Sequence, residues 1–518
     1  MRKWIGIICL GLVILLPEFL GTAKPPVDVF VFGSTVEAET LDPHDTVDNF
    51  AWRAIYYCYD RLVKFVGETT EVEPALATSW EVSEDGRTYV FHLRNGVSFI
   101  DGTPFDAHAV AYSFKRLISL KKPAYGTIEG ILDIDGIEVV DDFTIKFTLN
   151  FPFVPFLASL ATNQLSIVSP GVQKYDVGDY AAAWLAEHSA GTGPFYVKEW
   201  RRGDVIVLAR NENYWGKKPF FREVHIRYIP EAAVLRELLE KGEVDMAEVL
   251  TDEQLDALAK VPGIRIFEAP SFSVCRLYIN CTKPYLSDRR VRQAISFAID
   301  YDAIIYAVTK GHAVQMRGPI PIGMWGHDPT VFQYKRDVER ARQLLAEAGY
   351  SGGFKLTMLI DPGIQAWVDT AAIVQANLAE IGITVEIIGY ARPTMRAMIN
   401  RGEHELSIGY WTPDYPDPDM FAWYWFYSGN HGLAGNRSFY TNPRMDELAV
   451  GQRAEPDPAK RLEMLKELQR IAVEDAVYVY LYQRTYRTAM REWVKGYVYN
   501  PMLLYMPNFD TMYKDYGA

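Results

Sequence analysis

The sequence predicts an α/β fold, with mixed sheets flanked by helices, spread over two or three domains. Three observations carry this. The first half of the chain holds three clear hairpin patterns, which point to antiparallel or mixed sheet. From about residue 285 the apolar period becomes helical, and helical runs lead into strand-like ones, as layered α/β structure requires. The length, 518 residues, exceeds what one hydrophobic core normally holds.

The chain begins with Arg2 and Lys3, a thirteen-residue apolar run from Trp4 to Leu16, Pro17, and the small residues Gly21-Thr22-Ala23. This is the pattern of a secretory signal peptide over residues 1–23, with cleavage expected after Ala23. The run is shorter than the roughly 20 apolar residues that span a bilayer. Cys9 lies inside it and no cysteine follows near the cleavage site, so a lipid-modified N-terminal cysteine is not expected. The mature protein should be soluble and exported, periplasmic or extracellular. Cleavage removes Arg2, Lys3 and Glu18, a net +1, and takes the formal charge from −13 to −14. So acidic a chain is a poor partner for nucleic acid. The mature chain keeps Cys58, Cys275 and Cys281. That odd number means disulfides are not its main staple.

Further along, Asp85-Gly86 sits between two strand-like runs, with Tyr89, Phe91 and Leu93 alternating after it. An Asp-Gly pair in that setting is a hairpin turn. The pattern returns at GIEVVDDFTIKFTLNF, where Phe143, Ile145, Phe147 and Leu149 alternate, and at GPFYVKEWRRGDVIVLARN, where Gly203 marks the turn. Beyond residue 285, Ser287-Asp288 caps a helix carrying Val291, Ile295 and Ala298, and Asp337 caps another carrying Val338, Ala341, Leu345 and Ala348 before Gly349. A third helix spans Gln365 to Ile381, ends at Gly382 and runs into the strand-like ITVEII. A fourth starts at Asp457-Pro458, with Leu462, Leu465, Leu468 and Ile471 on one face.

Residues 409–426, GYWTPDYPDPDMFAWYWF, hold eight aromatic residues, three aspartates and three prolines. Proline donates no ladder hydrogen bond, so Pro413, Pro416 and Pro418 exclude an interior strand and make most of the segment a loop. A surface loop with aromatics beside carboxylates is a recognition candidate. The same residues could also cap a core, with the aspartates serving turns.

Catalytic signatures are absent: there is no HExxH, GxSxG, CxxC or GxxxxGK. The nine histidines are scattered without metal-ligand spacing. Asp133-Ile134-Asp135-Gly136 starts like a calcium loop, but the spacing then fails and a turn explains it. No cofactor or metal is expected, and no enzymatic activity. Paired carboxylates of a glycosidase meet only in the fold, so a secreted hydrolase stays as a second alternative.

Five stretches in order, ETLDPHDTVD (39–48), PALATSWEVSEDGRTYVFHLRNGVSFIDGTPFDAHAVAYSFKR (74–116), GTGPFYVKEWRRGDVIVLARNENYWG (191–216), YINCTKPYLSDRRVRQAISFAID (278–300) and DYPDPDMF (414–421), together resemble one family. It is the extracytoplasmic solute-binding proteins of family 5, which serve peptide-type ABC transporters and include oligopeptide-, dipeptide-, nickel- and some oligosaccharide-binding members. The resemblance implies a three-domain, two-lobe clamshell of the periplasmic-binding-protein type (type II, cluster C-like). Domain I would comprise residues 24–50, 190–270 and 483–518, domain II residues 51–189, and domain III residues 271–482. Chain crossings near Ser271 to Arg276 and Tyr480 to Arg484 would form the hinge. The implied partners are a peptide or oligosaccharide ligand and ABC permease subunits in the membrane, with the binding protein itself a monomer.

In peptide-binding relatives an aspartate aligned with Asp414 meets the ligand's ammonium, and the resemblance carries that role to Asp414. Backbone groups of Tyr410, Trp411 and Thr412 would pair with an extended ligand as an added strand, and Gly33, Ser34 and Thr35 would do so from the other lobe. Tyr415 and Trp423 would supply aromatic walls. Trp52, Trp411 and Trp423 are the stacking candidates should the ligand be an oligosaccharide, which the 12 Trp, 32 Tyr and 26 Phe also suit. There are departures. Dipeptide-binding relatives hold the ligand's carboxylate with an arginine fifty-three positions before the aspartate, and here that position is Asp361. A carboxylate cannot hold a carboxylate, so peptides longer than two residues are expected. Ile100 also replaces the family's usual histidine, and His108-Ala109-Val110 replaces its acidic-Asp-Val.

Overall fold

The computed structural model describes residues 24–432 and 435–517; the secretory leader expected over 1–23 lies outside the described residues. The protein is a mixed α/β, two-lobe clamshell, and two long strands organise it. Ile264–Ile279 and Tyr478–Arg491 pair antiparallel and lie at the middle of an 11-stranded sheet among the described residues. Towards one end of the pair the sheet continues through Met246–Glu248, Val29–Ser34, Glu223–Tyr228 and the hairpin of Phe195–Arg201 with Val205–Arg210. Towards the other it continues through Leu406–Trp411, Phe354–Ile360 and Ile383–Gly389.

The hairpins form where alternation and turn residues place them. Asp85 accepts from the Arg87 N–H at 3.1 Å and Gly86 takes a left-handed φ of 66°. The strands on either side, Ala77–Val82 and Thr88–Leu93, join Thr144–Thr148 and Ile137–Asp141 in a four-stranded antiparallel sheet. Tyr89, Phe91, Leu93, Ile145 and Phe147 point into one core beneath it. Asp133 opens a short 3-10 turn, Ile134–Gly136, that leads into the Ile137–Asp141 strand. Asp288, Asp337 and Asp457 cap the helices Arg289–Ala298, Val338–Glu347 and Pro458–Glu474, accepting from first-turn N–H groups at 2.8, 2.9 and 2.9 Å. The Gln365–Ala379 helix stops just before Gly382 and leads into the Ile383–Gly389 strand, which pairs parallel with Phe354–Ile360.

The reading of residues 409–426 as mostly loop needs correction, because its second half, Asp419–Phe426, is an α-helix. The three prolines stop at position 418, and proline at a helix start costs no hydrogen bond. The aromatic run is helical and faces the core, with Phe421, Trp425 and Phe426 fully buried.

The ladder between the two long strands breaks once in mid-course, with register shifts between Pro270 and Val274 and between Cys275 and Arg276. The gap is held by side chains. Ser271 Oγ donates to the Arg484 carbonyl at 2.7 Å. Buried Gln483 donates through Nε2 to the carbonyls of Ser271 (2.7 Å) and Ile322 (2.9 Å), and its Oε1 accepts from the Ile322 N–H (2.8 Å). Far from the break, buried Asp245 accepts from the Val31 N–H and Trp493 Nε1, both at 2.8 Å, and from Lys514 Nζ at 2.6 Å. That one carboxylate ties the N-terminal strand to the C-terminal tail. Cys58, Cys275 and Cys281 are all free thiols. Burial raises their pKa, to about 12 for Cys58 and Cys275 and about 11 for Cys281.

Removing the Gln483 amide orphans the buried Ser271 carbonyl, worth roughly 1–3 kcal/mol, while the two groups of exposed Ile322 can turn to water. Gln483→Ala should therefore lower stability by about 2 kcal/mol in urea unfolding. A loss below about 1 kcal/mol would show that the break is held by something else.

Candidate functional site

The lobes face each other across a cavity of about 430 Å³. Val47, Asn49 and Trp52 reach it from one side, on and just before a helix, Asn49–Cys58, whose first turn is capped by Asp48 at 3.1 Å. That helix shares a core with Phe30 and Phe32 of the N-terminal strand. The opposite wall is built by the Leu406–Trp411 strand, the loop after it, and the Arg392–Asn400 helix.

The strand is half-open. Along one edge Leu406–Trp411 pairs with Val274–Ile279 at every residue. Along the other it pairs with Phe354–Ile360 only at Leu406 and Ser407, which leaves Ile408 to Trp411 free of strand partners on that side. An extended ligand can add there as a strand. Gly409 is obligatory at this place, because a Cβ would lie 1.9 Å from Tyr278 Oη. Pro413 then ends the strand and turns the chain so that Asp414 faces the cavity.

Three aspartates follow one another in the loop, and the structure gives them different fates. Asp417 is held by Arg461, with Arg461 Nη1 donating to Oδ2 at 2.9 Å. Asp419 is fully buried and accepts from Tyr415 Oη at 2.7 Å and Arg453 Nε at 3.1 Å. Asp414 makes neither a hydrogen bond nor an ion pair with any described residue, and it is the one carboxylate among the residues lining the cavity. Desolvation by the surrounding walls lifts its pKa from the ordinary 3.8 to about 6. Asp414 is exposed to the water of the cleft, which screens much of that penalty, and the upward direction follows from the protein mass on either side.

Five of the ten residues expected at the site line the cavity: Trp52, Tyr410, Trp411, Thr412 and Asp414. The other five do not. Tyr415 is core, with its hydroxyl spent on Asp419 and its ring set edge-on to Phe153 at 6.1 Å. Trp423 stacks along Tyr427 and has the Arg453 guanidinium 4.0 Å from its ring centroid, so its face is occupied. Gly33 and Ser34 lie in a strand flanked on both edges, by Glu223–Tyr228 and by Met246–Glu248, and have no open edge for a ligand. Thr35 follows at the strand end and is not part of the wall. Asp361 also stands apart: it accepts from the Gly363 N–H at 2.9 Å and shapes its own turn. Sequence reasoning missed Trp367, Arg392, Arg396 and Arg437, all of which line the cavity. The spacing of Arg392 and Arg396, four apart and so on one helical face, was the readable signal.

A larger concavity of about 940 Å³ lies elsewhere, between Asp328–Phe332 and the Pro458–Glu474 helix. It is a surface groove whose charges answer one another, Arg444 with Glu467 at 2.7 Å, Lys466 with Glu463 at 2.9 Å and Arg470 with Glu474 at 3.0 Å. Size alone does not make it the site. No described group of three or more His, Cys, Asp and Glu is placed to hold a metal ion.

The family model for bacterial extracellular solute-binding proteins, family 5 (middle region), matches residues 71–432. Over 496 residues the chain is 40% identical to a probable D,D-dipeptide-binding periplasmic protein of Escherichia coli (strain K12), covering 95% of each. A dipeptide-binding protein of the same strain is 32% identical over 464 residues, 86% of this chain and 87% of that one. Among solved structures, an ABC transporter-associated periplasmic binding protein from Helicobacter pylori in complex with the peptide STSA superposes with a TM-score of 0.80 at 31% identity. The match covers 94% of this chain and 98% of that one.

The unequal fates of the loop aspartates are testable in the unliganded protein. Asp419→Ala strands the buried Arg453 charge and should cost about 3–5 kcal/mol. Asp414→Ala should change unfolding free energy by less than about 0.5 kcal/mol. Equal losses for both would contradict an Asp414 held free of structural work.

Proposed function

The chain belongs to the bacterial extracellular solute-binding proteins of family 5, and from that premise we propose that it is the ligand-capturing component of an ABC importer for short peptides. It acts in the periplasm, does no covalent chemistry, and hands its ligand to a membrane permease. The lobes divide as the resemblance implies, with domain I at 24–50, 190–270 and 483–518, domain II at 51–189 and domain III at 271–482. Closure bends the ladder at its break between Pro270 and Val274.

The observation that carries this reading is an unpaired carboxylate at the end of an open strand edge. Asp414 receives the peptide's ammonium, and the edge from Ile408 to Trp411 receives its backbone. A desolvated carboxylate facing an ammonium forms a charge-assisted bond and discriminates against ligands that lack the charge. Trp52 and Trp411 give the side chains an amphipathic surface. An oligosaccharide is less well served, since its hydroxyls want several acceptors and this wall offers one carboxylate against three guanidiniums. The expectation of peptides longer than two residues rested on Asp361, which does not face the cavity. The cavity of about 430 Å³ suits a dipeptide-sized ligand, as do the names of the two relatives above.

In calorimetry on refolded, ligand-free protein, Asp414→Asn should weaken peptide binding by about 1.5 kcal/mol or more, roughly tenfold. The pH dependence has a definite sign. Below about 6 Asp414 is protonated and neutral, so affinity should fall as pH drops through that value. Above about 8 the peptide's α-amino group loses its charge and affinity should fall again. Asp414→Asn should abolish the acid limb and weaken the alkaline one. Binding of oligosaccharides with no response to peptides would overturn the reading.

A further inference from the structure

The cavity wall carries three guanidiniums that no protein carboxylate answers. Arg392 and Arg396 stand one turn apart on the Arg392–Asn400 helix, and neither forms an ion pair with a described residue. Arg437 approaches from a separate segment. It is 8% exposed, its Nη1 donates to Tyr278 Oη at 3.0 Å, and its Nε has no partner. Elsewhere carboxylates answer several arginines, Arg116 with Asp42, Arg461 with Asp417, Arg453 with Asp419, and Arg487 with Asp252, Asp256 and Glu268, and buried Arg61 and Arg292 donate to backbone carbonyls instead. The protein as a whole carries a net charge of −13, so carboxylates are not in short supply.

The three cations also repel one another. Desolvation, then the charges of Arg437 and Arg392, lower the pKa of Arg396. Behind the wall Arg276 is fully buried, with none of its three nitrogens hydrogen-bonded and its guanidinium 3.5 Å from the Trp425 ring centroid. Against these positive charges the cavity sets one negative one, Asp414. Arg392 and Arg396 are exposed, so water screens part of this repulsion, and an anion seated among the three guanidiniums would relieve the rest.

We infer that Arg392, Arg396 and Arg437 form the anion-binding arm of the cleft, receiving the carboxylates of a short peptide whose ammonium meets Asp414, and that a peptide with an acidic side chain is preferred. This rests on the peptide reading above. The arm stands in for the arginine expected at position 361, with guanidiniums that line the cavity where Asp361 does not. One C-terminal carboxylate leaves further guanidiniums unanswered, and a side-chain carboxylate answers them. Guanidinium forks are suited to the purpose, because they grip carboxylates bidentately.

The test is calorimetry on the refolded full chain with four ligands: Ala-Ala, Ala-Glu, Ala-Lys and Ala-Ala amide. Ala-Glu should bind about tenfold tighter than Ala-Ala, and both Ala-Lys and the amide about tenfold weaker or worse. Arg392→Gln and Arg396→Gln, alone and combined, change exposed side chains and should leave the melting temperature unchanged. The double variant should lose the preference for Ala-Glu and most of the discrimination against the amide, while Asp414→Asn loses neither. If all four peptides bind alike, or the double variant binds them as the native chain does, the arginine arm is wrong and the peptide reading stands. If none of the four binds, both fall.

Discussion

The ladder between Ile264–Ile279 and Tyr478–Arg491 is the constraint on which the rest of the molecule depends. Both lobes grow outward from it, one along its Ile264 end and the other along its Ile279 end. Because the strand of the cleft, Leu406–Trp411, is hydrogen-bonded directly to Val274–Ile279, the open edge and Asp414 are fixed relative to the long pair rather than to a distant surface. The break at Pro270–Val274 falls immediately beside that attachment. Backbone pairing is stiff where it is continuous and compliant where it lapses, so this short stretch is the weakest part of the ladder. Gln483 satisfies the groups that the lapse exposes.

The cleft itself is a study in which charges are paired. In the Asp414 to Asp419 loop the two inner carboxylates are neutralised by Arg461 and Arg453, which anchor the loop to the helices behind it. That anchoring holds the outer carboxylate in a partly desolvated place, at the cost of a raised pKa. Asp414 is thereby left without a charge partner among the described residues. Arg392, Arg396 and Arg437 on the same wall are likewise without a carboxylate partner among the described residues.

Much of the architecture was legible because local signals and global fold agree. Asp85-Gly86 and Gly203 mark their hairpins, and Asp288, Asp337 and Asp457 mark helix starts, since turn and cap chemistry acts within a few residues. The Asp419–Phe426 helix was not legible: a helix buried on nearly every face shows no amphipathic period, and the prolines before it read as loop. Nor could sequence separate Asp414 from Asp417 and Asp419, whose partners Arg461 and Arg453 lie on helices some 35 to 45 positions away. The same holds for Gly33 and Ser34, since the strands that close both their edges begin at Glu223 and Met246.

The three free thiols have a consequence for life in an oxidising compartment such as the one its periplasmic relatives occupy. A thiol enters disulfide exchange as the thiolate, and burial holds Cys58, Cys275 and Cys281 in the protonated form at neutral pH. They are chemically silent there. While the protein is folded these three sulfurs offer oxidants no ready thiolate, so they bring little tendency to crosslink one molecule to the next. Redox inertness is thus a by-product of packing, lost only when the cores that hide the sulfurs open.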